Sequence, residues 1–561
     1  MENIWEIAPR KFDEIIDQLL YNRGVIKSEK DKKAKEKFFQ PDFEKDLFDP
    51  FLMNNIKEAV CRLQLAVSRK ETVGIFADYD ADGIPGAALL YKALTKIGLK
   101  VIIYIPNREN GYGLSEDGID YLISEKCSLI ITVDLGIRNF KEAVYCKEKK
   151  IDLIITDHHT PDDKIPDGFL VINPKISGDK YPYKELCGCG VAFKLVQALS
   201  KDFVCINESF LKWNLDLVAI STISDVVPLN GENRVLAKYG LKVLNKTKNL
   251  GLSELIKIAG IKPGSINGYV TGFKIGPRIN APGRIDHATR SLELLVTEDK
   301  KEATELAMWL NEKNESRQVA MERVEKEATK KIIDSSLYEN SIIILSGDWP
   351  KGVIGPTASR IADKYFRPTI LFSEDKDGFV GSARSVGDIN ILEIIEKVEK
   401  DILRYGGHKG AAGLTVAKEK FRSFCENIIK YSNKDIPKEG LVKKIRVDAE
   451  VEISELTLGL CESIKKLEPF GMGNPRPTFL IRGAELEYLR FVGKENKHFS
   501  CHIRKGNHAV KSIYFNFEKN NDSFDKEQLY DLIFNTEVDE WSGEQKVNLN
   551  ISDMRESLAS E

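Results

Sequence analysis

In three places in this 561-residue sequence, carboxylate or imidazole side chains directly follow a short apolar run. These segments are DYDADG at 78–83, the aspartate Asp134 that ends SLIITVD, and DHH at 157–159 after the apolar run IDLIIT. Each segment follows an apolar run that predicts a β-strand. In a parallel sheet the carboxyl ends of the strands meet at one crevice, and a cluster of carboxylates there is unfavourable without cations. The three segments together predict a divalent-metal site.

Each segment by itself has a simpler explanation. An isolated DxDxD at a strand end is typical of a capping or turn cluster, and an isolated pair of histidines is typical of an exposed loop. Their occurrence at three successive strand ends favours the metal interpretation. Asp225, in AISTISDVVPL after an apolar helical stretch, is compatible either with a metal ligand or with a helix C-terminal cap.

The elements that must position these segments are predicted from the pattern of apolar residues. From Thr72 onward, short apolar runs alternate with helix-forming stretches, which indicates a parallel sheet with helical crossovers. Residues 300–334 contain no Pro or Gly and predict one long helix. We predict an α/β protein with five parts: an N-terminal segment (1–45), a catalytic domain with a doubly wound parallel sheet (46–299), the connecting helix (300–334), a smaller α/β domain (335–440) and a C-terminal all-β domain (441–561).

The composition and the distribution of apolar residues indicate the cellular compartment and disfavour some classes of enzyme. Nine unevenly spaced cysteines suit a reducing compartment better than a disulfide framework. The charged N-terminus lacks a signal-peptide pattern, and no apolar run approaches the roughly 18 residues of a membrane-spanning helix. We therefore predict a cytoplasmic protein without membrane association. No arrangement of nucleophile, base and orienting acid stands out, which disfavours a serine or cysteine hydrolase.

The four motifs DYDADG, Asp134, DHH and SDVVPL, in this order, resemble those of the DHH phosphoesterase superfamily. The resemblance implies two divalent ions, usually Mn²⁺ with Mg²⁺ as the alternative, and catalytic roles for Asp78 and for His159, which would lie beside the substrate phosphate. The implied metal ligands are Asp80, Asp82, Asp134, His158 and Asp225. Some members of the superfamily carry a histidine four residues before the first ligand aspartate, where this sequence has Phe76.

Phosphate-binding residues are predicted in two later regions. The loop GPRINAPGRIDHA at 276–288 contains Arg278, Asn280 and Arg284, although surface arginines in a loop explain it equally well. The strand GSARS and the turn GGHKGAAG resemble the DHH-associated domain, which implies that His408 contacts the scissile phosphate. The same resemblance implies that Ser382 and Arg384 hold a nearby 5′-terminal phosphate.

The C-terminal region resembles an oligonucleotide-binding (OB) barrel from EPFGMGNPRPTF onward. Between Phe470 and Ser512 there are eight Lys and Arg against three Asp and Glu, interleaved with Tyr488, Phe491 and Phe499. Basic residues with aromatics are typical of a single-strand groove, and the alternative is an ordinary β-domain with aromatic residues in its core.

The resemblance covers roughly residues 40–555 and implies a metal-dependent exonuclease that degrades single-stranded DNA, 5′ to 3′, to 5′-mononucleotides. Water activated by two metal ions would be the nucleophile. Single-strand-binding protein and a helicase are the implied partners. Two alternatives remain: a DHH enzyme acting on oligoribonucleotides or cyclic dinucleotides, and a non-catalytic DNA-binding scaffold.

Overall fold

The structure is a computed structural model that describes residues 3–107, 113–166, 170–375, 378–493, 496–517, 528–539 and 543–557. Within them the strands form four sheets, with two, five, five and six strands. No helix in the described part of the chain combines the length and the apolar character needed to cross a membrane.

The N-terminal segment and the catalytic domain contain six strands and fifteen α-helices among the described residues. The strands are β1 (Ile4–Ile7), β2 (Thr72–Ala77), β3 (Lys100–Tyr104), β4 (Cys127–Val133), β5 (Asp152–Thr156) and β6 (Leu170–Ile172). The helices are α1 (Ile15–Asn22), α2 (Lys32–Phe39), α3 (Ile56–Arg69), α4 (Gly83–Lys96), α5 (Glu116–Ser124), α6 (Phe140–Glu148), α7 (Gly188–Leu199), α8 (Glu208–Trp213), α9 (Leu215–Ser224), α10 (Gly231–Leu244), α11 (Leu250–Ile258), α12 (Gly268–Val270), α13 (Gly276–Asn280), α14 (Pro282–Ile285) and α15 (Thr289–Val296).

The catalytic sheet has the order β3-β2-β4-β5-β6, and all its neighbouring strands are parallel. Alternate residues of a strand face opposite sides, so Ile75 and Ile131 pack into one apolar cluster while Phe76 and Ile130 pack into another. The sheet is thus covered on both faces, which explains its continuous apolar strands. The predicted doubly wound parallel sheet is confirmed.

The smaller domain follows one long helix. Its elements are α16 (Lys300–Asp334), β7 (Ile343–Gly347), α17 (Lys351–Tyr365), β8 (Thr369–Asp375), β9 (Gly378–Arg384), α18 (Ile391–Glu396), β10 (Arg404–His408), β11 (Ala411–Ala417) and α19 (Phe421–Asp435). The sheet order is β10-β11-β9-β8-β7, with β10 at an edge. The 35-residue α16, about 52 Å long at 1.5 Å per residue, buries Leu306 and Leu310 in the catalytic core and Val324 and Ala328 against the smaller domain.

The C-terminal domain is a closed β-barrel. Its elements are β12 (Lys444–Val447), β13 (Ala449–Glu450), α20 (Leu458–Lys465), β14 (Phe479–Val492), β15 (His498–Lys505), β16 (His508–Tyr514), β17 (Tyr530–Asp539) and β18 (Lys546–Glu556). The barrel closes because β14 pairs with both β15 and β17. This arrangement confirms the predicted OB-fold.

The N-terminal segment packs on this barrel. Strand β1 pairs in parallel with β12, and Leu19 and Leu20 of α1 are buried in the same apolar cluster as barrel residues such as Phe479. Helix α2, which contains most of the charged sequence SEKDKKAKEKF at 28–38, has no buried residue. The beginning of the chain is therefore part of the barrel's core, although 440 residues separate Ile4 from Lys444.

Candidate metal centre and the facing phosphate-binding strands

The metal-ligand candidates lie where three neighbouring strands end. Asp78 follows β2, Asp134 follows β4 and Asp157 follows β5, and the backbone N–H of each still donates to a carbonyl of the adjacent strand at 3.0–3.2 Å. Because β2, β4 and β5 are adjacent and parallel, these carboxyl groups share one edge of the sheet. Asp134 has a positive φ of 64°, a strained conformation for a non-glycine residue that is typical of functional sites.

Backbone amides hold the DYDADG loop in place. One oxygen of Asp80 accepts hydrogen bonds from the N–H groups of Asp82 and Gly83, at the start of α4. The two oxygens of Asp82 accept from the N–H groups of Gly188, at 2.6 Å, and Cys189, at 2.8 Å, where α7 begins. The helix N-terminus thus neutralises part of the charge of Asp82 and sets the direction of its remaining lone pairs.

Gly188 is required at this point by close packing. A Cβ atom there would lie 2.5 Å from the Cβ of Asp134 and 2.6 Å from its Oδ1. Sequence reasoning assigned no role to the two α7 amides, since backbone donors carry no side-chain signature. The glycine pair in CGCGVAF was the available signal.

The side chains converge around His158. Its Nε2 lies 3.1 Å from Asp134 Oδ1, and it lies 3.6 Å from Asp82 Oδ2 and from Asp225 Oδ2. Three sets bring their ligand atoms within 4.8 Å of one another: Asp82 with His158 and Asp225, Asp78 with Asp80 and Asp134, and Asp134 with His158 and His159. All five predicted metal ligands are therefore together, and Asp78, predicted as catalytic, stands in a ligand set.

The donor chemistry of this cluster fits divalent cations. The Nε2 of His158, which lies beside the carboxylates, is buried and has no hydrogen-bond partner among the described residues. A neutral imidazole nitrogen beside carboxylate oxygens places lone pairs against lone pairs, which a cation between them would turn into attraction. Carboxylate and imidazole ligands together suit Mn²⁺, and Mg²⁺ is compatible with the carboxylates.

Burial and mutual repulsion shift the titration of the cluster. Burial, then the neighbouring carboxylates Asp82 and Asp80, raises the pKa of Asp134 well above its usual range and that of Asp225 to about 9. Burial, then the charge of Asp80, raises the pKa of Asp82 to about 6, and burial lowers the pKa of His158 to about 3. The protein alone thus disfavours the charged forms of Asp82, Asp134, Asp225 and His158, and bound cations would favour the ionised carboxylates.

Asp157 serves a different purpose from the other carboxylates. Its Oδ1 accepts from the backbone N–H groups of His158 and His159 and lies 2.7 Å from the Nδ1 of His159, while its Oδ2 accepts from the N–H of Ile137. Burial opposes a charge on His159, but the hydrogen bond to Asp157 and the negative charges of Asp157, Asp82 and Asp78 together outweigh burial and raise the pKa of His159. Asp157 therefore orients His159 and favours its positive form.

The smaller domain presents positively charged and polar groups to this centre. The Nδ1 of His408 accepts from the backbone N–H of Gly410, which leaves Nε2 as the protonated nitrogen of the neutral ring. Partial burial and the charges of Arg384, His159 and Arg138 lower the pKa of His408, so His408 lies within electrostatic reach of His159. His408 of the smaller domain and His159 of the domain with the parallel sheet thus act on the same site from two different domains.

Ser382 and Arg384 form a second group on that side. Arg384 donates to the hydroxyl of Ser382 at 3.1 Å, and both side chains lie against Gly355 in the first turns of α17, where a Cβ would approach them to 2.9–3.0 Å. A helix N-terminus, a hydroxyl and a guanidinium together suit an anion.

The predicted residues of the loop at 276–288 make hydrogen bonds within the protein. Asn280 accepts from the backbone N–H of Ala81 and so supports the DYDADG loop. Arg278 donates to Asn311 of α16 and to the carbonyl of Lys274, and Arg284 donates to the carbonyl of Gly352 at the start of α17. In this structure all three connect elements of the protein. Their predicted phosphate contact remains a prediction.

Phe76 occupies the position of the histidine found in some DHH proteins. Its ring is fully buried and packs on Tyr104, with 4.9 Å between the ring centroids. The position therefore belongs to the core of the sheet and offers no ligand atom.

The fold and the site are those of a DHH phosphoesterase. Residues 72–222 match the family model described as the DHH family, N-terminal domain, and residues 339–434 match the DHHA1 domain. Residues 447–553 match the RecJ OB domain.

Comparison with individual proteins is more specific. The chain is 34% identical over 542 residues to the single-stranded-DNA-specific exonuclease RecJ of Bacillus subtilis, covering 96% of this chain and 67% of the relative. It is also 34% identical to RecJ of Haemophilus influenzae, over 84% of this chain and 85% of that protein. The crystal structure of RecJ in complex with Mn²⁺ from Thermus thermophilus matches with a TM-score of 0.84 and 28% identity, covering 100% of this chain and 80% of that chain. The chain belongs to the RecJ family.

Proposed function

We propose that this protein is a metal-dependent exonuclease that hydrolyses single-stranded DNA from the 5′ end and releases 5′-mononucleotides. The observation that carries the proposal is the buried cluster around His158, whose carboxylates need cations and whose neighbour His159 lies within electrostatic reach of His408 at the end of the exposed strand β10. The named activity of the RecJ relatives and the OB barrel on the same chain support single-stranded DNA as the substrate.

Each residue of the site has a defined task in this reaction. Asp80, Asp82, Asp134, His158 and Asp225 would hold two ions, with Asp78 close enough to share one of them. When bound, two ions of this kind activate water and neutralise the phosphate for in-line attack. His159, oriented by Asp157, holds a negative phosphate oxygen, and His408 donates from Nε2 to the scissile phosphate.

The polarity of digestion would follow from the anion site on α17. Ser382, Arg384 and the first turns of α17 can hold a terminal phosphate one nucleotide away from the bond that is cut. A phosphate held there fixes the chain end, so hydrolysis at the metal centre releases one nucleotide with its 5′-phosphate.

The barrel supports binding of a longer single strand. Tyr488 is 72% exposed and its ring meets His502 edge-on, with the basic residue Arg490 two positions further along β14. Phe499, in contrast, is fully buried in the barrel core, and Phe491 packs against it. Of the three aromatics predicted for the groove, Tyr488 is therefore the one with a ring available for stacking on a base.

The proposed substrate has consequences for location and partners. We propose a cytoplasmic protein that acts where DNA strands are separated, with a helicase and single-strand-binding protein as partners that produce or coat its substrate. The sparse, unpaired cysteines support a reducing compartment, and all nine are free thiols.

Timed digestion of an oligodeoxynucleotide labelled at either end tests the proposed function. With Mn²⁺ present we expect a 5′ label to appear at once as mononucleotide, while a 3′ label passes through a ladder of shortening products. Double-stranded DNA, single-stranded RNA and cyclic dinucleotides are compared as substrates. Faster cleavage of RNA or of a cyclic dinucleotide would support the alternative DHH activity, and DNA binding without cleavage in Mn²⁺ would support a non-catalytic scaffold.

A further inference from the structure

A pocket lies where three parts of the chain meet: the N-terminal segment, the catalytic domain and the barrel domain. Its volume of about 340 Å³ is at the lower end of the range of small-ligand sites. The N-terminal segment contributes Arg23, Lys37 and Phe38, helix α10 contributes Arg234, and the loop before β14 contributes Gly473. We call this cavity the junction pocket.

Arg234 is a buried cation in the wall of the junction pocket. The residue is 3% exposed, and it forms no ion pair with a carboxylate of the described residues. Its Nε donates to the carbonyl of Phe38 at 3.0 Å, and its Nη2 donates to the carbonyl of Glu468 at 3.2 Å. Its Nη1 is buried and has no hydrogen-bond partner within the part of the chain that the structure describes. Support of α2 and of the barrel loop therefore uses two of the three guanidinium nitrogens, and the third can donate to a ligand.

The junction pocket has an excess of positive charge. Among the described residues no carboxylate lines it. Arg23 pairs with Asp448 at 3.4 Å and Lys37 pairs with Asp46 at 3.0 Å, so the charge of Arg234 is the one left unbalanced. Burial, then the charge of Arg23, lowers the pKa of Arg234 to about 10, which leaves it positive at neutral pH. An anion in the pocket would pair with this guanidinium and offset its repulsion from Arg23.

The rest of the pocket wall is apolar. It is formed by Val25, Ala34, Phe38, Pro41, Leu229 and Val235. The guanidinium carbon of Arg234 lies 3.6 Å from the centroid of the Phe38 ring, so the charged and the apolar parts of the wall adjoin. A phosphate group alone would occupy only part of the volume. The remaining apolar space suits a flat, weakly polar group such as a nucleobase, because a hydroxylated group would lose its hydrogen bonds to water there.

We propose that the junction pocket binds a mononucleotide, with the phosphate on Arg234 and the base against the apolar wall. The phosphate would accept a charge-assisted hydrogen bond from Nη1, and Arg23 and Lys37 would add to the favourable potential. Ribonucleotides of the free pool and the deoxynucleotides released by the proposed exonuclease share this chemistry. The second source rests on the proposed function, and the pocket itself does not.

A ligand in the junction pocket would connect the barrel domain to the metal centre. The pocket residue Leu229 follows the metal-ligand candidate Asp225 by four positions, and its backbone N–H donates to the carbonyl of Met472 at 2.7 Å. The bound mononucleotide would contact both this segment and the N-terminal segment that packs on the barrel. Binding therefore stabilises the contact between the domain that cuts and the domain that holds the strand.

The test is isothermal titration calorimetry of the full-length protein in a chelator, with dAMP and AMP as ligands. The chelator removes divalent ions, so the metal centre offers the phosphate no cation. We expect one saturable site with Kd in the range of about 10 μM to 1 mM. Inorganic phosphate and deoxyadenosine, the two halves of the ligand, should each bind at least about tenfold more weakly. Tighter binding of dAMP would assign the site to the reaction product, and equal or tighter binding of AMP would assign it to the free pool.

Ala34→Glu locates the binding. Ala34 lines the pocket on α2, so a glutamate there places a carboxylate in the wall and should weaken binding at least about tenfold. The matched control is Lys33→Gln, which changes the net charge by the same single unit at an exposed residue of α2 outside the pocket, and it should bind as the wild type does. Arg234→Gln should abolish binding. Because Arg234 also supports α2, Ala34→Glu decides the question if Arg234→Gln does not fold.

Four outcomes would overturn the proposal. The first is the absence of saturable binding for both mononucleotides, and the second is binding of inorganic phosphate as tight as that of dAMP. The third is an equal effect of Ala34→Glu and Lys33→Gln. The fourth is loss of binding in Arg384→Ala with retention in Ala34→Glu, which would place the mononucleotide at the proposed 5′-phosphate site. Because binding is measured in a chelator and without hydrolysis, its failure is distinguishable from failure of the proposed exonuclease function.

Discussion

The two sides of the catalytic cleft are built on opposite principles. On the metal side, Asp82, Asp134 and His158 are almost completely buried at the end of a parallel sheet that is covered on both faces. On the phosphate side, His408 ends β10, an edge strand whose five residues are all exposed. The metal side brings together carboxylates that repel one another until cations are bound. The phosphate side exposes hydrogen-bond donors to an incoming anion.

Electrostatic interactions therefore have different consequences for stability on the metal side and on the phosphate side. Burial on the metal side stores repulsion among carboxylates and makes binding of cations strongly favourable, at a cost to the stability of the metal-free protein. Exposure on the phosphate side keeps each donor available to substrate at little cost to stability. Substitutions on the metal side should therefore change both activity and stability, and substitutions on the phosphate side should change activity in graded steps.

The largest effect is expected for Asp134→Asn. Its amide keeps the shape of the side chain but removes a carboxylate from two of the candidate ligand sets, so we expect hydrolysis in Mn²⁺ to fall about a thousandfold or more. The metal-free variant should melt at a higher temperature than the metal-free wild type, because one source of repulsion is gone. Activity is measured in Mn²⁺ and melting is measured in a chelator.

Asp152→Asn is the matched control for this prediction. Asp152 lies at the beginning of β5 in the same sheet, and its side chain is 64% exposed. It should change neither the rate nor the melting temperature appreciably. Near-wild-type activity of Asp134→Asn in Mn²⁺ would rule out the proposed metal centre.

His408→Ala should have the next largest effect. If the Nε2 hydrogen bond strengthens as charge develops on the phosphate, kcat should fall about a hundredfold with a smaller change in KM. His408→Gln, which keeps a donor at a similar reach, should recover part of the loss, and the adjacent Lys409→Ala should stay close to wild type. A change confined to KM would show that His408 only binds substrate.

Arg384→Ala should produce a smaller and more selective loss. Removal of a charge-assisted contact should slow the use of 5′-phosphorylated DNA about tenfold or more and leave 5′-hydroxyl DNA nearly unchanged. The rates are compared on the two substrates, with Arg404→Ala on the exposed edge strand as a control. Equal loss on both substrates would reassign Arg384 from recognition of the 5′ end to the general charge of the cleft.

The smallest effect concerns stability and pH. The folded-state pKa values of Asp82 and Asp225, about 6 and about 9, lie above the unfolded value near 3.9, so the folded protein holds protons that the unfolded chain releases. Stability of the metal-free protein should therefore decrease, by a few degrees in melting temperature, as pH rises from about 4 to about 9, with Asp82 contributing up to about pH 6 and Asp225 up to about pH 9.

Bound Mn²⁺ should remove this pH dependence, because a cation favours the ionised carboxylates. Melting curves in chelator and in saturating Mn²⁺ give the comparison, and Asp134→Asn in chelator should show a shallower slope than the wild type. Identical slopes with and without the ion would mean that the repulsion assigned to the metal side does not affect stability.

Local sequence patterns were sufficient to predict the elements whose formation depends on residues close together in the sequence. The absence of Pro and Gly over 300–334 predicted α16 to the residue, because helix formation depends on local propensity. Apolar runs ending in Asp78, Asp134 and Asp157 predicted the strand ends, since a parallel sheet brings the carboxyl ends of its strands together. These patterns placed most of the candidate metal site before any tertiary contact was known.

Other features depended on contacts between distant parts of the chain. The N–H groups that orient Asp82 come from Gly188 and Cys189, more than a hundred residues away, and backbone donors look alike in every sequence. Asn280 supports the DYDADG loop, and Arg284 contacts α17, because the packing of helices brought them there. The N-terminal segment joins the barrel through β1 and Leu19. A local sequence pattern shows that a surface is apolar, but it does not show which other surface will cover it. The pairing of surfaces depends on how the whole chain buries its apolar residues.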